Sequence, residues 1–261
     1  MLHHVEHGTG TPVLALHGWP VDHRLMTGCL EPVFARREGY RRLYPDLPGM
    51  GASPADGIDS SDDMLGAIGE FIDEHIGDEP FLVVGESYGG YLARGLLQVR
   101  RSQVSGMALI CPVGRELRNQ DRTVPPRTVL VDEPGLVEAL DAETAADFTA
   151  VAVVRTSQTL RRFTADIKGT VYDEAALERI KRRWELSMLP ERGEPYECPG
   201  LILTGRQDWA TGYADVYALL DHYPRASFAI LDRGGHNLQI EQPELFEAMT
   251  LEWLDRVAEA G

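Results

Sequence analysis

The sequence predicts an α/β fold: a mostly parallel sheet flanked by helices and interrupted once by a helical insertion. Three observations predict it. Short continuous apolar runs end at Gly or Pro, as strands covered on both faces do. Amphipathic segments of helix length separate those runs, the alternation that right-handed βαβ crossovers require. One long stretch, residues 114–195, carries no convincing strand and is too long for a simple crossover.

Pro12-Val13-Leu14-Ala15-Leu16 is the first strand and ends at His17-Gly18. Arg42-Leu43-Tyr44-Pro45-Asp46 is a weaker one, closed by Pro45, which cannot donate to a central ladder. Asp62–Ile76 reads as a helix, with Met64, Leu65, Ile68, Phe71 and Ile72 at helical spacing. Phe81-Leu82-Val83-Val84 is a buried strand ending at Gly85, and Ser87–Arg101 is the helix after it, with Tyr91, Leu92, Leu96 and Leu97 inward. Val104–Cys111 is a strand stopped before Pro112. Within the insertion, Leu136–Leu140, Glu143–Val154, Thr159–Ile167 and Asp173–Leu189 all read as helical. Strands return with Leu201–Thr204, before Gly205, and Ser227–Leu231, which runs into Asp232-Arg233-Gly234-Gly235. The last helix is Pro243–Val257, whose Pro-Glu start suits a first helical turn.

Composition bounds the function. At 261 residues, with 43% hydrophobic and 25% charged residues, the chain has enough apolar side chains for a large core, which excludes wholesale disorder. The formal net charge of −16 repels phosphate backbones and anionic lipid, so nucleic acid and membrane are not expected partners. A small-molecule substrate is. The insertion differs: between Val113 and Pro190 there are 13 acidic and 12 basic residues, so the acidity belongs to the sheet portion. Cys29, Cys111 and Cys198 are far apart and show no zinc-knuckle or redox spacing. They read as idle thiols in a reducing compartment, and no metal or cofactor is expected. Met1-Leu2-His3-His4-Val5-Glu6-His7 has no basic start followed by an apolar run, and no stretch reaches a membrane span. The expected location is the cytoplasm.

The sharpest motif is Gly85-Glu86-Ser87-Tyr88-Gly89, a G-x-S-x-G between a strand and a helix. Serine on such a tight turn is held in a strained backbone, clear of the sheet, beside amides at a helix N-terminus. A serine hydroxyl needs a base. His236, in the loop after the last strand, lies at the same carboxyl edge. The base needs a carboxylate to hold its tautomer. Asp208, after the Leu201–Thr204 strand, is favoured, with Asp232 and Glu116 as alternatives. His17-Gly18-Trp19-Pro20 ends the first strand, so the Trp19 amide can join that of Tyr88 as an oxyanion donor. His3 and His7, on a strand, would be about 13 Å apart and do not chelate.

Together these pieces resemble the α/β-hydrolase superfamily: His17-Gly18-Trp19-Pro20, the stretch Asp46-Leu47-Pro48-Gly49-Met50-Gly51-Ala52-Ser53, the Ser87 turn, Gly205-Arg206-Gln207-Asp208 and Gly234-Gly235-His236. The resemblance implies an eight-stranded, mostly parallel sheet with a helical cap inserted after strand six. Residues 1–112 and 196–261 would be the core and 113–195 the cap. It also implies Ser87 as nucleophile, Asp208 and His236 as its partners, the Trp19 and Tyr88 amides as oxyanion hole, and His17 with Gly18 as support for that loop. Haloalkane dehalogenases and epoxide hydrolases of this superfamily carry aspartate where this chain has Ser87.

The expected activity is therefore hydrolysis of a small, mostly apolar carboxylic ester through an acyl-enzyme. Lactonase, amidase, C–C bond hydrolase and proline iminopeptidase chemistry use the same turn. Glu138, Asp141, Glu143 and Asp147 are acids an iminopeptidase could use to hold a free amine. A ligand-binding protein without turnover is the rival from another class, and the complete Ser-His-Asp set argues against it. Trp184, Phe148, Phe163 and Met188 are candidate pocket residues, although aromatic and Met side chains at helical spacing also suit plain core.

Overall fold

The computed structural model describes residues 1–115, 117–188 and 191–260. Its central sheet is built from β1 (His4–Gly8), β2 (Thr11–Leu16), β3 (Tyr40–Pro45), β4 (Phe81–Glu86), β5 (Val104–Ile110), β8 (Gly200–Gly205) and β9 (Ala226–Leu231). The spatial order is β1-β3-β2-β4-β5-β8-β9, parallel throughout except for β1 against β3. The six expected strands all occur. The sheet has seven strands where eight were expected, because a single edge strand precedes β2. The insertion accordingly leaves after the fifth strand, not the sixth.

Alternate residues of the central strands face opposite ways, and both faces are apolar. Leu14 and Leu16 of β2 and Val83 of β4 pack with α2 (Ser61–His75) and α3 (Ser87–Val99), through Met64, Ile68, Phe71, Leu92 and Leu96. Val13, Ala15, Leu82 and Val84 pack with α1 (Arg24–Phe34) and α9 (Pro243–Ala260), through Met26, Leu30, Val33, Phe246 and Trp253. Helix α1 has no counterpart in the sequence reading, since Pro32 falls inside it and breaks the helical pattern.

The insertion holds β6 (Val131–Asp132), α4 (Ala142–Val151), β7 (Val154–Arg155), α5 (Ser157–Asp166) and α6 (Glu174–Lys181). The expectation of no strand here is corrected: β6 and β7 pair in parallel. Residues 136–140 form turns, not a helix, with Leu136 and Leu140 bonding back three residues. Helix α4 stops at Val151 because Ala152 is extended and β-branched Val153-Val154 enter a strand. Helix α6 ends at Lys181. The expected end at Leu189 lies outside the described residues.

One cluster pins the N-terminus to the sheet. Asp46, buried at the end of β3, accepts His3 Nδ1 on Oδ2 and His23 Nδ1 on Oδ1, each at 2.8 Å, and also the amides of His23 and Ala52. Burial opposes ionisation of Asp46, but the His23 bond and the two amides outweigh it and hold its pKa below the usual range, while Asp46 raises that of His23. Asp46's contribution is lost as pH falls through its lowered pKa. His23's is full below its unfolded value and lost as pH rises through its raised one. Asp46→Asn is therefore expected to destabilise most between about pH 4 and 6.5, by roughly 2–3 kcal/mol. Urea unfolding across pH checks it; a pH-independent loss would mean the charge is not what matters.

Candidate active site

Parallel strands place their carboxyl ends on one edge, and ligands bind where the strand order reverses. Here β2 lies between β3 and β4, so the loops after β2 and β4 open the crevice. The loops after β8 and β9 bring further residues to the same edge.

Ser87 is the first residue of α3 and has φ 52°, the left-handed conformation that non-glycine residues rarely adopt. The turn closes because its neighbours lack side chains. A Cβ at Gly85 would sit 2.5 Å from the Gly89 carbonyl oxygen, and one at Gly89 would run into the Leu16 and His17 carbonyls. Ser87 Oγ lies 3.0 Å from His236 Nε2. On the other side of the ring, His236 Nδ1 lies 3.1 and 3.2 Å from the two oxygens of Asp208. Asp208 is fully buried and held by the Ala210 amide, the Thr211 amide and the Thr211 hydroxyl at 2.9, 3.0 and 2.6 Å. Burial alone would raise its pKa. The charge and bond of His236 and the bonds from Thr211 overcome this and push it down to about 2. Asp232 sits in the exposed turn after β9, and Glu116 is outside the described residues.

A second carboxyl faces the same imidazole. Glu86, buried at the end of β4, places Oε1 3.5 Å from His236 Nε2. Burial pushes its pKa up to about 7. Burial works against the His236 cation, but Asp208 and then Glu86 outweigh it and raise the imidazole. Glu241, from α8 (Leu238–Glu241), was not found from sequence. Its carboxyl accepts Gly235 N at 2.5 Å, beside His236, and Val153 N at 2.7 Å. It thus ties the insertion to the histidine loop. The only sequence signal was its place in the Gly234–Pro243 segment, which propensity cannot distinguish from an ordinary surface acid.

Trp19 and Tyr88 line the cavity beside Ser87. The Tyr88 amide is in the first turn of α3, where backbone N–H groups lack intrahelical acceptors. His17 is fully buried: Nε2 accepts the Leu47 amide at 2.9 Å, so Nδ1 carries the proton and donates to Gly18 O at 2.8 Å. Burial lowers its pKa, which keeps it neutral and suits a bracing role. Cys111 shares the Asp208–His236 neighbourhood, but burial raises its thiol well above the usual value. That is the opposite of what a metal-binding thiolate needs.

The cavity is about 1080 Å³, at the upper end of the roughly 300–1,000 Å³ of small-molecule sites. Trp184 lines it, stacked on Tyr88 at 4.3 Å and edge-on to Trp19 at 5.1 Å. The other three candidates are corrected. Phe148 and Phe163 pack on each other at 5.5 Å in the core of the insertion, where α4 and α5 meet. Met188 is exposed and away from the cavity lining. Trp209, from the loop after β8, lines the cavity instead.

A doubly flanked parallel sheet with a strained strand-to-helix serine at its carboxyl edge defines the α/β-hydrolase class. The sequence model of the alpha/beta hydrolase family matches residues 13–249, and the chain belongs to that family. It is a hydrolase. Over 110 residues it is 33% identical to haloalkane dehalogenase 2 of Mycobacterium tuberculosis, a match covering 41% of this chain and only 37% of that protein's length. Over 260 residues it is 25% identical to 2-hydroxy-6-oxo-6-(2'-aminophenyl)hexa-2,4-dienoic acid hydrolase of Metapseudomonas resinovorans, covering 98% and 88% of the two chains. An alpha/beta superfamily hydrolase from Oenococcus oeni superposes with TM-score 0.90 at 29% identity, covering 98% and 96%. A thermophilic esterase from Thermogutta terrifontis superposes at 0.71 with 21% identity, covering 98% and 93%, which speaks to fold alone. No helix among the described residues is long and apolar enough to cross a membrane.

Proposed function

We propose that the protein is a serine hydrolase of small carboxylic esters, with Ser87, His236 and Asp208 as its catalytic residues. The observation that carries this reading is the 3.0 Å contact between Ser87 Oγ and His236 Nε2 on a turn that strains Ser87. His236 takes the Ser87 proton as Oγ attacks the acyl carbon. The amides of Trp19 and Tyr88 receive the oxyanion. His236 then protonates the leaving alcohol, and water attacks the acyl-serine with His236 again as base. Residues 113–195 act as a cap on the core of 1–112 and 196–261, supplying Trp184 to the acyl pocket. Dehalogenation does not transfer from the partial match, since Ser87 stands where that chemistry uses a carboxylate. Three free cysteines fit a reducing, cytoplasmic setting.

A fluorophosphonate should label the protein once, on the peptide carrying Ser87, with p-nitrophenyl acetate turnover lost in step. A label on another residue, or turnover that survives full labelling, would end the proposal.

The pH dependence should carry the mark of Glu86. His236 must be neutral to accept a proton, and its raised pKa moves the rising limb of kcat/KM to the alkaline side of an ordinary histidine. Glu86→Gln removes one acidic neighbour, so the limb should move to lower pH by about 1–3 units. An unmoved limb would show that Glu86 is only packing.

A further inference from the structure

Outside the Ser87 site, three metal-ligating side chains that are far apart in sequence meet in the fold. His3 comes from the segment before β1, His23 from the turn before α1 and Asp46 from the residue after β3. One ligand atom of each lies within 4.8 Å of the other two. The two rings address the two oxygens of one carboxylate: His3 Nδ1 faces Asp46 Oδ2 and His23 Nδ1 faces Asp46 Oδ1, both at 2.8 Å. Their centroids stand 5.5 Å apart with the planes at 53°. The backbones that carry these donors are fixed by bonds of their own. His3 N donates to Ser53 Oγ at 2.9 Å, and His3 O accepts the Asp46 amide at 2.8 Å. The His23 and Ala52 amides each donate to one Asp46 oxygen at 2.9 Å. That is the outer-shell support that orients a metal-binding carboxylate. Asp46 is buried, while both imidazoles keep part of their surface open to solvent, which leaves a way in.

We propose that His3, His23 and Asp46 form a structural site for a divalent transition-metal ion of the Zn²⁺ type. The ion takes the place of the protons on the two Nδ1 atoms, which pass to solvent. Both rings then bind as neutral imidazoles with their remaining proton on Nε2, and Asp46 supplies carboxylate oxygen. Two nitrogens with a carboxylate suit Zn²⁺ and its neighbours better than Mg²⁺ or Ca²⁺, which take oxygen ligands. Ligands about 2.0–2.2 Å from a tetrahedral Zn²⁺ stand about 3.3 Å from one another, so each 2.8 Å contact has to open by only about half an ångström. The net charge of −16 favours arrival of a cation. The site is structural by its place: it joins the N-terminal segment to the frame of the oxyanion loop, because the Leu47 amide beside Asp46 donates to His17, which donates in turn to Gly18 O. It stands whether or not Ser87 is catalytic.

The test titrates ZnCl₂ into tag-free protein stripped with EDTA, by calorimetry and by thermal melts. One ion should bind per chain at this site, and Zn²⁺ at about a hundred times its dissociation constant should raise Tm by about 5 °C. The measured quantity is the difference between Zn²⁺ and EDTA within each variant, so a change in basal stability does not confuse it. His3→Gln/His23→Gln should abolish that difference. His7→Gln, whose ring packs on Tyr44 instead, should keep it. Cys111, Asp208 and His236 are the other three residues whose ligand atoms converge among those described, so His236→Asn should keep the difference as well. Crystals grown with Zn²⁺ should show an anomalous peak between the two rings, about 2.0–2.1 Å from each Nδ1. A rise in Tm of equal size in the His3/His23 double variant would overturn the site. So would its loss in His236→Asn with the double variant unaffected, or the absence of any binding at millimolar Zn²⁺.

Discussion

Ser87→Ala is expected to lower kcat for p-nitrophenyl acetate by about a hundred-thousand-fold while the chain stays folded. No other hydroxyl among the described lining residues stands free to act in its place: Thr211 is bonded to Asp208, and Tyr88 to Ser61. What remains after such a change is the contribution of the oxyanion donors and binding. Stability should move in the other direction for Ser87→Gly. The wild-type residue sits at φ 52°, a conformation glycine adopts without cost and other residues at about 1 kcal/mol. A variant that is inactive and melts higher would show that the elbow holds strain for function. Residual turnover within tenfold of wild type would remove Ser87 from the mechanism.

The reach of the sequence followed how local each signal was. The strands of the sheet were legible because β2, β4 and β8 are apolar on both faces and end at residues that halt a strand. The edge strand β1 was not, since four of its five residues are polar or glycine and only its backbone pairing with β3 makes it a strand. In the site, Ser87 was legible because steric crowding at Gly85 and Gly89 leaves few other sequences able to make that turn. His236 and Asp208 followed from chemistry plus strand order. Glu241 was not legible, because its partners, Gly235 and Val153, are backbone amides that any side chain pattern could supply. Phe148 and Phe163 misled for the converse reason: helical spacing shows which residues share a face, but not whether that face meets a cavity or a neighbouring helix. The presence of Arg118, Arg122, Arg182 and Arg183 together around the cavity was hidden by averaging. The insertion is nearly neutral in sum, and only its folding brings Arg118 and Arg122 to the same space as Arg182 and Arg183.

Asp208→Asn should cut kcat by about ten-thousand-fold with little change in fold, and the reason is a tautomer. Asp208 Oδ1 accepts two amides, from Ala210 and Thr211, while Oδ2 accepts the Thr211 hydroxyl and faces His236 Nδ1. An asparagine can satisfy the two amides only by putting its oxygen at Oδ1 and its NH2 at Oδ2. That NH2 can still donate to the Thr211 hydroxyl, but it also donates to His236 Nδ1. The imidazole must then carry its proton on Nε2, pointing at Ser87 Oγ, where it cannot accept the serine proton. The negative charge is lost as well, so the His236 cation is held by Glu86 alone and the rising limb of kcat/KM should move to lower pH. Steady-state kinetics across pH, with circular dichroism melts to confirm folding, measures both effects. A loss under about tenfold would mean that the buried carboxylate at Asp208 serves the fold and not the base.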